Sequence, residues 1–264
     1  MKIIVCIKQV PDTAEVRIDP KTGTLIREGV PSIMNPDDKA GLEAALRLRD
    51  SIGAHVTVLT MGPPQAETVL REAMAMGADD AVLVTDRAFG GADTIATSTT
   101  LAAAIRALDF DLIIAGRQAI DGDTAQVGPQ VAEFLGIPSV ACAEGIQVEE
   151  GEKSLLVRRR FEDRTHLVRV KTPCLITALS ELNAPRYMTP GGIFEAWRGR
   201  EIRVLNRRAL PCLKDDEIGL KGSPTRVAKS FPKSLKPAGI VKKGLSADEA
   251  ADEITACLKA HFVL

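Results

Sequence analysis

Aromatic side chains are scarce in this sequence: one Trp, one Tyr and seven Phe make up 3% of 264 residues. Single-stranded nucleic acid is held by bases stacked on flat rings, so this composition argues against that role. An excess of either charge is missing too. Lys and Arg number 34 against 35 Asp and Glu, a formal net charge of −1, and the electrostatic case for nucleic acid falls with it. Cys6, Cys142, Cys174, Cys212 and Cys257 are odd in number, scattered and without CxxC spacing. That pattern excludes a disulfide framework, argues against a metal site and fits reduced cytoplasmic thiols. His55, His166 and His261 have no partnered Ser or Cys in a nucleophile context, so general acid–base catalysis has little to stand on. No apolar run approaches the roughly 18 residues of a membrane helix, and the N-terminus lacks the zones of a signal peptide. We expect a cytoplasmic chain with no membrane insertion.

What is present is alternation. Lys2-Ile3-Ile4-Val5-Cys6-Ile7 reads as a first strand, followed by a turn-rich loop and a hairpin inserted over Val16-Arg17-Ile18-Asp19 and Thr24-Leu25-Ile26. Asn35 as cap, Pro36 at the first helical position and the acidic Asp37 and Asp38 announce a helix. Strands over 55–60, 80–84 and 110–114 alternate with helices of about ten to fifteen residues, which predicts an α/β fold with a doubly wound, mostly parallel sheet. From about Ile146 the pattern becomes a meander of alternating apolar and charged residues, antiparallel strands added to that sheet's edge or packed beside it. Beyond Leu182 periodic apolar positions thin out, and 183–244 reads as an extended arm that orders against a partner. A last helix is capped by Ser246 and carries Ala250, Ile254, Cys257 and Leu258 on one face. The expected division is 1–182 as a nucleotide-binding α/β domain and 183–264 as recognition loop, arm and terminal helix.

Two connections stand at strand C-termini, where open α/β sheets bind ligands. The first is Ala115-Gly116-Arg117-Gln118-Ala119-Ile120-Asp121-Gly122-Asp123-Thr124-Ala125-Gln126-Val127-Gly128-Pro129-Gln130. Gly116, Gly122 and Gly128 allow close backbone approach, Asp123 or Thr124 can cap the following helix, and free N–H groups beyond the cap attract phosphate. It reads as a nucleotide phosphate cradle, or as a plain sheet connection whose glycines only make turns. Arg117 reads as a phosphate ligand or as a solvated side chain; Asp121 and Asp123 suit capping or ribose contacts better than a metal. The second is Thr85-Asp86-Arg87-Ala88-Phe89-Gly90-Gly91-Ala92-Asp93-Thr94, a candidate ligand loop or an ordinary connection. A nucleotide site without reactive side chains points to a cofactor that does the chemistry while the protein holds and tunes it.

Lys8-Gln9-Val10-Pro11-Asp12, Ser32-Ile33-Met34-Asn35-Pro36, Ala73-Met74-Ala75-Met76-Gly77-Ala78-Asp79, Gly116-Arg117-Gln118-Ala119-Ile120-Asp121-Gly122-Asp123 and Leu182-Asn183-Ala184-Pro185-Arg186-Tyr187 together resemble the β subunit of electron-transfer flavoprotein, in order and over nearly the whole chain. The resemblance implies an adenine-nucleotide α-hydrolase-like fold and an α-subunit partner carrying FAD. It also implies an adenylate site on Cys6, Asn35, Asp38, Met61 and the Asp121 to Gln130 loop. The segment Leu182, Asn183, Pro185, Arg186, Tyr187 matches the loop that such subunits use to recognise acyl-CoA dehydrogenases, with Leu182 in the place of the apolar anchor. The arm would wrap the α subunit.

Ordinary members hold AMP in the β subunit; electron-bifurcating members hold a second FAD there and oxidise NADH. The loop with Asp86, Arg87, Phe89, Gly91, Asp93 and Thr94 resembles the bifurcating subset, as do Gly122 and Thr124. In that case the β-subunit FAD accepts hydride from NADH. One electron then goes to ferredoxin or flavodoxin, and the other goes through the α-subunit FAD to an acyl-CoA dehydrogenase. The alternatives are an ordinary subunit with structural AMP and, from another class, an ATP-sensing module of the adenine-nucleotide α-hydrolase type.

Overall fold

Short branched runs become the strands of one nine-stranded sheet. In the computed structural model, which describes residues 1–12, 31–149, 151, 153–226, 228 and 239–263, β1 (Lys2–Cys6) leads into a two-stranded antiparallel ribbon of β2 (Gln9–Pro11) and β3 (Ser32–Met34). Then follow α1 (Pro36–Ile52), β4 (His55–Met61), α2 (Glu67–Met76), β5 (Asp80–Val84), α3 (Thr94–Arg106), β6 (Leu112–Gly116) and α4 (Val127–Leu135). A second run adds β7 (Ser139–Val148), β8 (Ser154–Arg160), β9 (Thr165–Lys171), β10 (Cys174–Ala178), α5 (Pro190–Arg198) and β11 (Arg203–Leu205). These lie in one compact unit, Met1–Ala228; a second unit, Lys229–Leu264, contains α6 (Ala247–Ala260).

The sheet order is β11-β5-β4-β1-β6-β10-β7-β8-β9. Every pairing is parallel except β7 with β8 and β8 with β9. Side chains alternate through it: Ile3 and Val5 join one apolar layer with α1 and α2, while Ile4 joins the other with α3 and α4. All five residues of β6 are buried, as a parallel strand covered on both faces requires. The chain leaves β1 in one direction, toward β4 and β5, and α3 then carries it back to β6 on the other side of β1. The order therefore reverses between β1 and β6, and it is beyond the C-termini at such a reversal that open α/β sheets form their ligand crevice.

The antiparallel strands extend the main sheet's edge, beginning at Ser139, seven residues ahead of the Ile146 at which alternation becomes visible in the sequence. More of the C-terminal third is built into this unit than its composition predicts. Where an arm was expected from Asn183, α5 packs on α2, β11 pairs with β5, and Leu205, Leu210, Leu213 and Ile218 are buried in the second apolar layer. Single leucines separated by irregular turns have no period, so burial of this kind leaves no signal in the sequence. The hairpin expected over 16–26 falls outside the described residues. In the second unit Ser246 closes a capping box with Glu249, as its sequence implies. Among the described residues no helix is long and apolar enough to cross a membrane.

Candidate functional site

The start of α1 assembles the crevice. Asn35 occupies the N-cap position, but its side chain does not cap: its amide donates to the Gln118 carbonyl at 2.8 Å and accepts from Ile120 N–H at 3.1 Å. Asp38, one turn on, accepts Lys8 N–H at 2.8 Å on Oδ2 and Gly116 N–H at 2.9 Å on Oδ1. Two buried side chains thus tie the C-terminal end of β1 to the end of β6 and the loop after it. Lys8 Nζ completes the tie with Asp121 at 2.7 Å. Burial pushes the Asp38 carboxyl up to about 7 against the pull of Asn35 and the two N–H donors. Burial, reinforced by Asp38, pushes the Cys6 thiol up to about 12. Asn35 and Asp38 hold the cradle from beneath, and the hydrogen bonds to the loops occupy their polar atoms.

The three glycines of the cradle do different jobs. A Cβ on Gly116 would lie 2.1 Å from Asp38 Oδ1, and one on Gly128 would lie 2.7 Å from Thr177 Cγ2. Both are small because protein packs on them. Gly122 faces open space. The expected capping fails: α4 is preceded by Gln126 with no side-chain cap, and Asp123 instead accepts from the Gln118 amide at 2.9 Å. Asp123 and Thr124 precede Val127, the first helical residue, by four and three positions, with Asp123 and Ala125 at φ of 51° and 53°. The physical result still favours an anion. Thr124, Ala125, Gln126, Val127 and Gly128 present backbone N–H groups with no acceptor among the described residues, at a helix N-terminus. Pro129 offers no N–H. Arg117 points elsewhere, 3.5 Å from Asp37, so its guanidinium balances a carboxylate that burial pushes up.

The 85–94 loop reaches the same crevice through its last residue. Thr94 Oγ1 donates to Gln126 Oε1 at 2.9 Å, and Ser98 Oγ lies 2.9 Å from Gln130 Oε1. Arg87 is exposed, whereas Met61 is half-buried against the second apolar layer. Phe89 is turned inward, 4% exposed in that layer, and presents no ring to the crevice. Asp86 caps the turn Arg87–Phe89 and accepts Arg207 N–H at 3.0 Å. Asp93 caps α3, and Gly91 takes a φ of +73° against Leu220. The fold therefore brings Thr94 to the 121–130 loop, leaves Arg87 exposed on the turn before it, and folds Phe89 and Asp93 into the loop's supports.

The 182–187 segment is a separate surface. Leu182 is half-buried against the first apolar layer rather than standing out as an anchor, because the turn Ser180–Leu182 lies on α1. Tyr187 is 94% exposed. Arg186 is clamped: Nε and its backbone N–H donate to Glu43 Oε2 at 2.8 and 3.1 Å, and a terminal nitrogen donates to Asp50 at 2.8 Å. Sequence reasoning missed Glu43, which reads as an ordinary solvated position of a helix, and missed the exposed Ile193, Phe194 and Trp197 of α5. The concentration of the only Tyr and only Trp within 11 residues was the available clue.

Burial separates the thiols as well. Cys212 is exposed, while burial pushes Cys174 up to about 11. Alkylation of the native chain with iodoacetamide at pH 8 is expected to modify Cys212 and to leave Cys6 and Cys174 intact until the chain is unfolded; peptide mass spectrometry reads the outcome.

The pattern of the electron transfer flavoprotein domain matches residues 22–200. Electron transfer flavoprotein subunit beta of Clostridium acetobutylicum is 56% identical over 263 residues, covering 100% of both chains. The chain belongs to the electron-transfer flavoprotein β-subunit family. It is similar also to the caffeyl-CoA reductase-Etf complex subunit CarD of Acetobacterium woodii, at 52% identity over 266 residues. The acryloyl-CoA reductase electron transfer subunit gamma of Anaerotignum propionicum is 48% identical over 271 residues, and both alignments cover 100% of each chain. An electron-transfer flavoprotein β subunit works with an α subunit in flavin-linked electron transfer. The donor set agrees with that placement: amides at a helix N-terminus with no acceptor among the described residues suit a phosphate or diphosphate, and the Cys6 thiol is pushed up by burial to about 12, so it stays protonated.

Proposed function

We propose that this is the β subunit of an electron-bifurcating electron-transfer flavoprotein, with FAD in the crevice between β1 and β6. The observation that carries the reading is the Thr94–Gln126 hydrogen bond, which joins the 85–94 loop to the 121–130 loop and so supports the reading of the two as walls of one site. In this reading the amides of 124–128 take the diphosphate, Thr124 and Gly122 border it, and Arg87 and Thr94 face the isoalloxazine half. When bound, FAD would supply hydride acceptance from NADH and one-electron transfer, toward ferredoxin or flavodoxin and, through the α-subunit FAD, toward an acyl-CoA dehydrogenase. The protein's part is to bind, orient and tune. A cation such as Arg87 beside the ring favours its anionic reduced form. Two relatives whose names place them with caffeyl-CoA and acryloyl-CoA reductases support an acyl-CoA dehydrogenase as partner, met through the 182–187 surface. The scattered free thiols fit the cytoplasm.

A second reading has its own support. Phe89 and Asp93 are folded inward, as they would be if only adenylate occupied the cradle, so an ordinary subunit holding AMP is the rival. The ATP-sensing alternative drops out with the family established. Flavin and nucleotide analysis of the purified heterodimer separates the remaining two: two FAD are expected, and one FAD with one AMP would overturn the proposal.

A further inference from the structure

A later part of the chain makes many of the hydrogen bonds that hold the 85–94 loop. Thr85 N–H donates to the Leu205 carbonyl at 3.0 Å, and Leu220 N–H donates to the Gly90 carbonyl at 3.1 Å. Asp93 N–H donates to Ser223 Oγ at 2.8 Å, and Ser223 Oγ, itself buried, donates to the Gly219 carbonyl at 2.7 Å. Asp93 Oδ1 caps α3 while Oδ2 accepts both Thr225 N–H at 3.0 Å and Thr225 Oγ1 at 2.8 Å. The backbones touch. A Cβ on Gly219, whose φ is +55°, would lie 2.1 Å from the Ala88 carbonyl oxygen.

The other wall is held differently, by Asn35 and Asp38 of α1. Asn35 and Asp38 thus hold one wall and 219–225 holds the other, and the Thr94–Gln126 and Ser98–Gln130 hydrogen bonds join the two. We infer that 219–225 is a lock on the 85–94 loop, with Ser223 and Thr225 as positioning residues that select for the flavin half of the cofactor over adenylate alone. The inference rests on the reading of the site proposed above. Both act through Asp93: Ser223 accepts its backbone N–H, and its carboxylate joins the helix cap to Thr225.

The test uses the full heterodimer with the β site emptied of nucleotide, and compares wild type with Thr225→Val, Ser223→Ala and Thr225→Ser. FAD and AMP dissociation constants are measured together with amide hydrogen exchange over 88–94. Thr225→Val and Ser223→Ala are expected to speed that exchange and to weaken FAD binding roughly tenfold, the scale of one lost hydrogen bond to a charged or buried group, with AMP binding unchanged. Thr225→Ser, which keeps the hydroxyl, is expected to behave as wild type. Unchanged exchange, or equal losses for FAD and AMP, would overturn the lock. If wild type binds FAD no better than AMP, the selective role fails with the bifurcating reading, and faster exchange in the variants would leave the lock as a purely structural support.

Discussion

Gly116→Ala is expected to lower stability by about 3 kcal/mol or more and to abolish nucleotide binding, because the added methyl has nowhere to go. It would meet Asp38 Oδ1 at 2.1 Å, Asp38 N at 2.8 Å and Asp37 Cβ at 2.9 Å, atoms fixed in the first turn of α1. Moving that turn breaks the Gly116 and Lys8 hydrogen bonds to Asp38, and with them the tie between the two strands that frame the crevice. Thermal unfolding should show a fall in Tm on the order of 10 °C. Gly122→Ala is the control. It sits in the same loop, meets nothing within 4 Å and needs no left-handed backbone, so its stability should lie within about 0.5 kcal/mol of wild type. A double-mutant cycle sharpens the point. Asp38→Ala alone strands two buried N–H donors, yet it also removes the worst clash, so Gly116→Ala with Asp38→Ala should cost less than the sum by roughly 1 kcal/mol. Equal stability for Gly116→Ala and Gly122→Ala would refute this account of the glycine.

That contrast also shows where the sequence is readable. The parallel sheet was legible because its central strands are short branched runs that alternate with helices. Asn35-Pro36-Asp37-Asp38 marks the start of one so clearly that the helix begins at Pro36. The candidate location was legible for the same reason, since strand C-termini at a reversal of sheet order can be found once the alternation is seen. Roles within the site were harder. Asn35 looks like a cap and is a loop tie; Gly116 looks like room for a phosphate and is room for Asp38. In both cases the deciding partner lies about 80 residues away, as in the Asn35 and Asp38 hydrogen bonds, and local chemistry has no access to it. The 183–226 segment was misread for a related reason: β11 is three residues long, and its stability comes from the edge of β5 rather than from its own pattern.

The second large effect is expected at Glu43. Its carboxylate is buried and accepts three hydrogen bonds from Arg186, at 2.8, 3.1 and 3.1 Å, with Arg47 a fourth donor at 3.2 Å. Glu43→Gln keeps one oxygen but turns an N–H₂ toward a guanidinium, and the forked pairing is lost. A cost of about 2 kcal/mol follows, less than for a fully enclosed pair because the Arg186 side chain is 32% exposed. The sign of the pH dependence is fixed by the same contacts. Burial pushes the Glu43 carboxyl up, but the Arg186 and Arg47 donors outweigh it and hold it below its ordinary 4.5. A depressed carboxyl contributes stability above its unfolded value and loses it as pH falls through the folded one. The gap between wild type and Glu43→Gln in urea unfolding should therefore be complete at pH 7 and close below about pH 4.5. Because Arg186 fixes the segment that leaves Tyr187 exposed, the variant should also exchange its Arg186 amide faster and raise the KM of a partner dehydrogenase for this flavoprotein more than it lowers kcat. A gap that persists to acid pH would mean that Glu43 acts through shape alone, and an unchanged KM would move the recognition surface away from 182–187, toward the exposed aromatics of α5.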